Sequence, residues 1–194
     1  MEKKTKATLS EEESRSFFHL FLSILASVNL TYEIVNVSSE QLLSGRVNKR
    51  LLKKIADFLW GHPSFVDDYL EGLAEQADLR KEDRELFESW RHPVTGRFVV
   101  ERHQARGSIL IDIETGKVYL VKGITDTWRE MLRGFELPVL IEGTLLPFRG
   151  CIISDGLISV SGIPFGPKEY ALFTQMYMKA KENGCIVTSL EAKP

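Results

Sequence analysis

The sequence predicts an α+β protein. An N-terminal helical part, residues 1–92, packs on a C-terminal antiparallel, barrel-like sheet, residues 93–194, which carries one long C-terminal helix. Two observations carry this expectation. Up to Trp90, apolar residues recur at helical spacing and glycine is scarce. Beyond Gly96, short β-branched runs alternate with glycine-containing turns, the pattern of successive short strands that curl into a small barrel. A chain of 194 residues buries a core without covalent staples, and two cysteines, Cys151 and Cys185, are too few for a disulfide framework. The two parts are either separate domains or one composite domain; the residue pattern leaves both open.

The first helix starts at Ser10, where Ser-x-x-Glu with Glu13 makes a capping box. Phe17, Phe18, Phe21, Ile24, Leu25 and Val28 then form its apolar stripe. A short helix over 38–43 ends at Gly45. Leu51, Leu52, Ile55, Phe58 and Leu59 make the inner face of the next helix, with Lys49, Arg50, Lys53 and Lys54 largely opposite and Gly61 closing it. Pro63 suits the first turn of a fourth helix bearing Phe65, Val66, Tyr69, Leu70 and Leu73. A fifth, about 81–90, offers Leu86, Phe87 and Trp90.

Strands follow over 97–103, 108–113 and 117–122, the last two joined by Glu114-Thr115-Gly116, a good hairpin loop. A short helix over 125–133 is capped by Thr125 or Asp126 and ended by Gly134. Residues 138–146 read as a long strand stopped by Pro147. Residues 150–154 and 157–161 flank Asp155-Gly156, the strongest short hairpin signal in the chain. Pro167 opens the long helix, lined by Tyr170, Phe173, Met176, Tyr177 and Ala180, and Asn183-Gly184 ends it before a last strand over 185–190.

Charge excludes a global electrostatic partner. With 25 basic against 27 acidic residues the net charge is −2, too small a field to draw nucleic acid or an anionic membrane to the whole surface. Phe17 to Leu30 is the one apolar stretch near the N-terminus. Glu11, Glu12, Glu13 and Arg15 separate it from Lys3, Lys4 and Lys6, and His19, Ser23 and Ser27 interrupt it, so it reads neither as a secretory signal nor as a membrane span. The expected location is cytoplasmic, with reduced thiols.

No motif asks for a cofactor or a metal. The four histidines, His19, His62, His92 and His103, never share i, i+4 spacing, and neither cysteine has a Cys-x-x-Cys partner. Walker, Gly-x-Gly-x-x-Gly and Gly-x-Ser-x-Gly patterns are missing from the sequence. Cys151, His103 and Asp155 could be drawn as the thiolate, base and orienting acid of a Cys-dependent hydrolase. Against that, Cys151 adjoins Ile152 and Ile153 in a strand, and Asp155 belongs to the Asp-Gly turn. Residues beyond His92 hold 12 basic and 11 acidic side chains. Arg97, Arg102 and Arg106 cluster there around His103, with only Glu101 against them; Arg149 is a further cation on the sheet. Such a face is the basis of a nucleic-acid-binding alternative. Large aromatic residues (Phe17, Phe18, Trp60, Trp90, Trp128) are numerous, and any left exposed beside arginine is an anchor for a partner.

Leu-Leu-Pro-Phe-Arg-Gly-Cys-Ile-Ile-Ser-Asp-Gly-Leu, from Leu145 to Leu157, resembles a block found in a family of uncharacterised bacterial proteins. Ile163-Pro164-Phe165-Gly166, the stretch from Lys179 to Gly184, and Thr188-Ser189-Leu190 are similar too. Some relatives carry a cysteine-rich SEC-C metal-binding tail. No such tail follows here up to Pro194, so zinc binding by that route is not expected. The resemblance implies a bacterial cytoplasmic protein and supplies no catalytic residue. The expected function is therefore a non-enzymatic binding or adaptor module with a protein or small-molecule partner, its oligomeric state open. A nucleic-acid-binding module is the alternative, and a Cys-dependent hydrolase stands third.

Overall fold

The computed structural model describes residues 7–62, 64–74 and 80–190. Pro63, expected at a helix start, and Lys3, Lys4 and Lys6 lie outside the described residues, as does the side chain of Leu73. The chain is α+β, with seven helices and six strands among the described residues. It divides into two units, residues 12–93 and residues 94 onward together with those before 12. No helix among the described residues is long and apolar enough to cross a membrane.

The helical unit is built from α1 (Glu11–Tyr32), α2 (Ser39–Leu43), α3 (Lys49–Trp60), α4 (Ser64–Ala74) and α5 (Lys81–Ser89). Its centre is aromatic. Phe17 meets Trp90 edge-on at 5.9 Å, Phe21 stacks on Trp60 at 6.2 Å, and Phe87 meets Trp90 at 5.3 Å. Phe17, Trp60, Phe87 and Trp90 are all buried, each contributing roughly the 1.5–3 kcal/mol of a large apolar side chain taken out of water. Trp128 is buried as well, so no tryptophan is left exposed as an anchor, and the exposed phenylalanine and tyrosine rings among the described residues are Phe18, Tyr32, Phe135 and Tyr170. Buried Asn29 ties the segment after α1 in place, accepting from the Val35 amide at 2.9 Å and donating to the Val35 and Val37 carbonyls at 3.1 Å. Ser38 and Gln41 form a reciprocal capping box on α2, and Asn48 caps α3.

The second unit holds β1 (Val94–Gln104), β2 (Gly107–Asp112), β3 (Val118–Lys122), α6 (Trp128–Met131), β4 (Val139–Phe148), β5 (Cys151–Ser154), β6 (Ser159–Val160) and α7 (Pro167–Glu182). Strand order is β1-β2-β3-β5-β4-β6, and β1 also pairs with β4, so five strands close a hydrogen-bonded ring rather than a true barrel. The sheet is mixed, which corrects the antiparallel expectation. β3 and β5 run parallel, through Val121↔Ile152 and Lys122↔Ile153. Alternation along the strands sends Phe98, Val100, Leu110, Tyr119, Val121, Ile141, Leu145 and Ile152 into the ring, where α6 adds Trp128. Val99, Ile109, Ile111 and Val118 face the other way and are covered by Phe173 and Tyr177 of α7.

Four local expectations are revised. Asp155-Gly156 is not a hairpin turn: β5 pairs with β4 through Leu145↔Ser154, and β6 continues along the same β4 edge through Ile141↔Val160. The pair is thus an interruption in one strand. A β-carbon at Gly143 would lie 3.1 Å from Ile158 Cγ2, so glycine there gives the interruption room. Pro147 lies inside β4, opposite Ile152. Phe148 and Cys151 close a two-residue turn and form the hydrogen-bonded pair, so the Pro147 nitrogen points away from β5. On that side β1 has already ended at Val94↔Leu145, and the missing N–H leaves no ladder bond unmade. Thr127, not Thr125 or Asp126, caps α6, in a box with Glu130. The last strand shrinks to one parallel bridge, with Val187 beside Tyr119.

Candidate functional site

The sequence-derived residues of the sheet unit are dispersed. Arg97 is exposed on β1 opposite Glu142, and Arg106 is exposed in the Ala105-Arg106 turn between β1 and β2. Nine positions of extended strand separate them, about 25–30 Å, so they do not converge on one anion. Arg149 opens the β4–β5 turn at φ 45° with its guanidinium 5.3 Å from the Phe148 ring. Arg102 is not free. A bulge between Val100 and Arg102 gives Glu101 no partner in the β1–β2 register. Both Glu101 and Arg102 engage α7. Arg102 binds the Glu101 carboxylate through Nε and, at 2.8 Å, through Nη2. Its guanidinium lies 4.2 Å over the Tyr177 ring. Thr174 donates to Glu101 at 3.2 Å, and Gln104 to the Tyr177 hydroxyl at 2.8 Å. The sequence put Glu101 against Arg102 but gave no sign that α7 completes the group.

His103, Cys151 and Asp155 have separate surroundings. His103 Nδ1 shares a 2.8 Å hydrogen bond with Ser108 Oγ. Burial first, and the nearby Arg129 charge second, push its imidazole below the usual range and favour the neutral ring. The Cys151 thiol donates to the Phe148 carbonyl at 3.0 Å. Asp155 Oδ1 accepts from the Leu157 amide at 3.0 Å, bracing the strand interruption. The strands that bear His103 and Cys151, β1 and β5, are not hydrogen-bonded to each other. Among the described residues, no three His, Cys, Asp or Glu side chains are grouped to hold a metal ion.

A different constellation lies at the C-terminal end of α1. Tyr32 is 43% exposed, and its ring centroid is 4.5 Å from that of Phe65 on α4. Phe65 stacks on Phe58 of α3 at 5.3 Å, and Phe58 lies 4.7 Å from His62, whose Nδ1 bonds the Phe58 carbonyl at 2.8 Å. Beside this ladder is a cleft of about 120 Å³ lined by Ser27, Val28, Thr31 and Tyr32 of α1 and Phe65, Asp68 and Tyr69 of α4. Tyr69 is held by an edge contact with Phe87 at 5.1 Å. Burial, only partly offset by the Ser23 hydroxyl, pushes its hydroxyl above the usual range. Other acids in the unit are taken by cations, among them Asp67 by Arg91, Asp57 by Lys53 at 2.8 Å and Asp83 by Arg80 at 2.8 Å. Among the described residues no cation pairs with exposed Asp68. The last turn of α1 carries no basic residue, so the partial negative charge of its carbonyl end is uncompensated there. A larger cleft of about 520 Å³, lined by Asn29, Leu30, Glu33, Val35 and residues 36–39, adjoins the same helix end.

Sequence reading missed this site because Tyr32, Phe65 and Tyr69 come from two helices whose faces read as ordinary core. The available signal was Tyr32, which falls beyond the apolar stripe of α1. Comparison with known proteins returns no matching family model, no matching curated protein and no matching solved structure.

Proposed function

We propose that this protein is a non-enzymatic binding module whose ligand seats in the aromatic cleft at the end of α1. The observation that carries the reading is the cluster of partly exposed, mutually contacting rings, Tyr32, Phe65 and Phe58, beside that cleft. Rings already fixed by their neighbours lose little conformational freedom when a ligand arrives, and they bring large contact area at low cost. Aromatic anchors in clefts are also where binding energy concentrates. A test is amide chemical-shift mapping with a panel of cationic, neutral and anionic fragments. Shifts clustered on residues 27–32 and 64–69 support the reading; shifts confined to the sheet unit, or none with any fragment, contradict it.

A second reading, a nucleic-acid-binding module, draws on the ring itself. Its order, closed by β1–β4 and carrying a parallel β3–β5 pair, resembles the OB-fold, a partly open five-stranded barrel whose β1–β2 and β4–β5 loops border a ligand face. Arg106 and Arg149 sit in those two loops. Against it, α7 covers the outer face of β1, β2 and β3. Retention on single-stranded oligonucleotide that weakens steeply with salt, and falls in Arg106→Ala and Arg149→Ala, would favour this second reading.

A further inference from the structure

We infer that the cleft between α1 and α4 is a site for a methylated ammonium head group, carried by a small soluble quaternary ammonium compound. This inference rests on the binding-module reading and names the ligand class of the same cleft.

Three independent features select a cation with an apolar surface. The first is aromatic: Tyr32, Phe65 and Tyr69 all line the cleft, and ring faces attract a cation through their quadrupoles while tolerating its methyl groups. The second is a carboxylate. Asp68 lines the same space, and among the described residues no cation pairs with it, whereas Arg91 holds the adjacent Asp67. The third is the helix end. Ser27, Val28, Thr31 and Tyr32 belong to the last turns of α1, a 22-residue helix whose final turn has no basic side chain, so its carbonyl end adds negative potential. Among the described residues no lysine, arginine or histidine lines the cleft, which disfavours an anion there.

Size narrows the class. At about 120 Å³ the cleft is well below the roughly 300–1,000 Å³ of pockets that enclose whole drug-sized ligands. It suits one head group with the remainder of the molecule outside. An unmethylated ammonium is a poorer fit, because Asp68 and the lining hydroxyls replace only part of its strong hydration and the ring faces replace none; spreading the charge over methyl groups removes most of that penalty.

The test is a calorimetric and amide-shift titration of the full chain with choline, with its neutral isostere 3,3-dimethylbutan-1-ol, and with a short peptide containing trimethyllysine. Choline is expected to bind and to shift residues 27–32 and 64–69, and the isostere to bind markedly more weakly. Exposed Asp68→Asn and Tyr32→Leu, chosen because neither opens the core, should each weaken choline by about two- to fivefold. Equal binding of choline and the isostere at this cleft would overturn the ammonium assignment while leaving a ligand cleft in place. Choline shifts confined to other residues, or affinity unchanged in both variants, would also overturn it. Tighter binding of the peptide than of choline would overturn the assignment to a free compound. Failure of every fragment to reach the cleft is instead the failure of the binding-module reading.

Discussion

Arg102→Ala removes one side chain from β1 and should loosen α7. Arg102 and Glu101 form an ion pair in which the arginine side chain is 39% exposed and the glutamate 5%. Removing one partner of a fully buried pair costs about 3–5 kcal/mol, because the other charge is left enclosed. Water reaches Arg102, and exposure of that order screens much of the interaction. The pair is then worth about 1.5–3 kcal/mol, the range of hydrogen bonds to charged groups. The guanidinium over Tyr177 adds roughly 0.5–1 kcal/mol. Arg102→Ala is therefore expected to cost about 2–4 kcal/mol. Arg102→Lys, which keeps the charge but loses the two-pronged grip, should cost about half as much. Trp128 belongs to this unit while Trp60 and Trp90 belong to the helical one. Fluorine NMR of fluorotryptophan-labelled protein in urea therefore follows the unit separately. Amide exchange in α7 reports whether the helix itself is released. A cost within about 0.5 kcal/mol of zero, with α7 protection unchanged, would refute the reasoning, since surface substitutions lie in that range. The same logic disqualifies Arg102 as a probe of nucleic-acid binding: lost retention would follow from a displaced helix.

Other consequences are equally direct. A β-carbon at Gly123 would lie 1.9 Å from the Asp126 carbonyl oxygen, and Gly123 also exchanges backbone hydrogen bonds with Ala7 and Leu9. Gly123→Ala should cost the sheet unit about 2 kcal/mol or more, read as a lower urea midpoint for Trp128, because backbone cannot yield as side chains do. Arg149 has φ 45° in the β4–β5 turn; Arg149→Asn should stabilise by up to about 1 kcal/mol and Arg149→Val destabilise, both measured by urea unfolding. Burial works against the Asp112 carboxylate. The Thr115 hydroxyl, the Glu114 and Thr115 amides and Lys117 outweigh it and hold the group below its ordinary 3.8. Its contribution is complete above that value and is lost as pH falls through the lower folded one, so Asp112→Asn should flatten the stability curve below about pH 4. His103, also depressed from its ordinary 6.5, contributes in the same direction: stability declines as pH falls from 6.5 through the folded value, and His103→Gln should flatten that segment.

Much of the fold is legible in the residues because its signals are local. Gly45 after α2, Gly61 after α3, the Glu114–Gly116 loop and Pro167 at the start of α7 each act within a few positions, and their elements lie where the sequence puts them. What fails depends on distant partners. Asp155-Gly156 has the local chemistry of a hairpin, yet β4 is ten residues long and offers enough edge for β5 and β6 to run on in one direction. Pro147 ends a strand only if both sides of that strand are paired, and β1 stops short of it. The parallel β3–β5 contact is set by ring closure and leaves no mark in either strand. The candidate site is hidden for the same reason. Asp67 and Asp68 look alike in sequence as acids in the first turn of a helix; only the position of Arg91, 24 residues after Asp67, distinguishes the carboxylate it holds from its neighbour. Tyr32 looks like the end of a stripe until Phe65 is placed against it.

The most direct measurement is a crystal structure of the full chain grown with tetramethylammonium chloride. The account predicts an ordered tetrahedral cation between Tyr32, Phe65 and Tyr69, within about 6 Å of a ring centroid, with Asp68 turned toward it. An ordered cation seated only elsewhere, or a lysine or arginine side chain from the same molecule already filling that space, would contradict it.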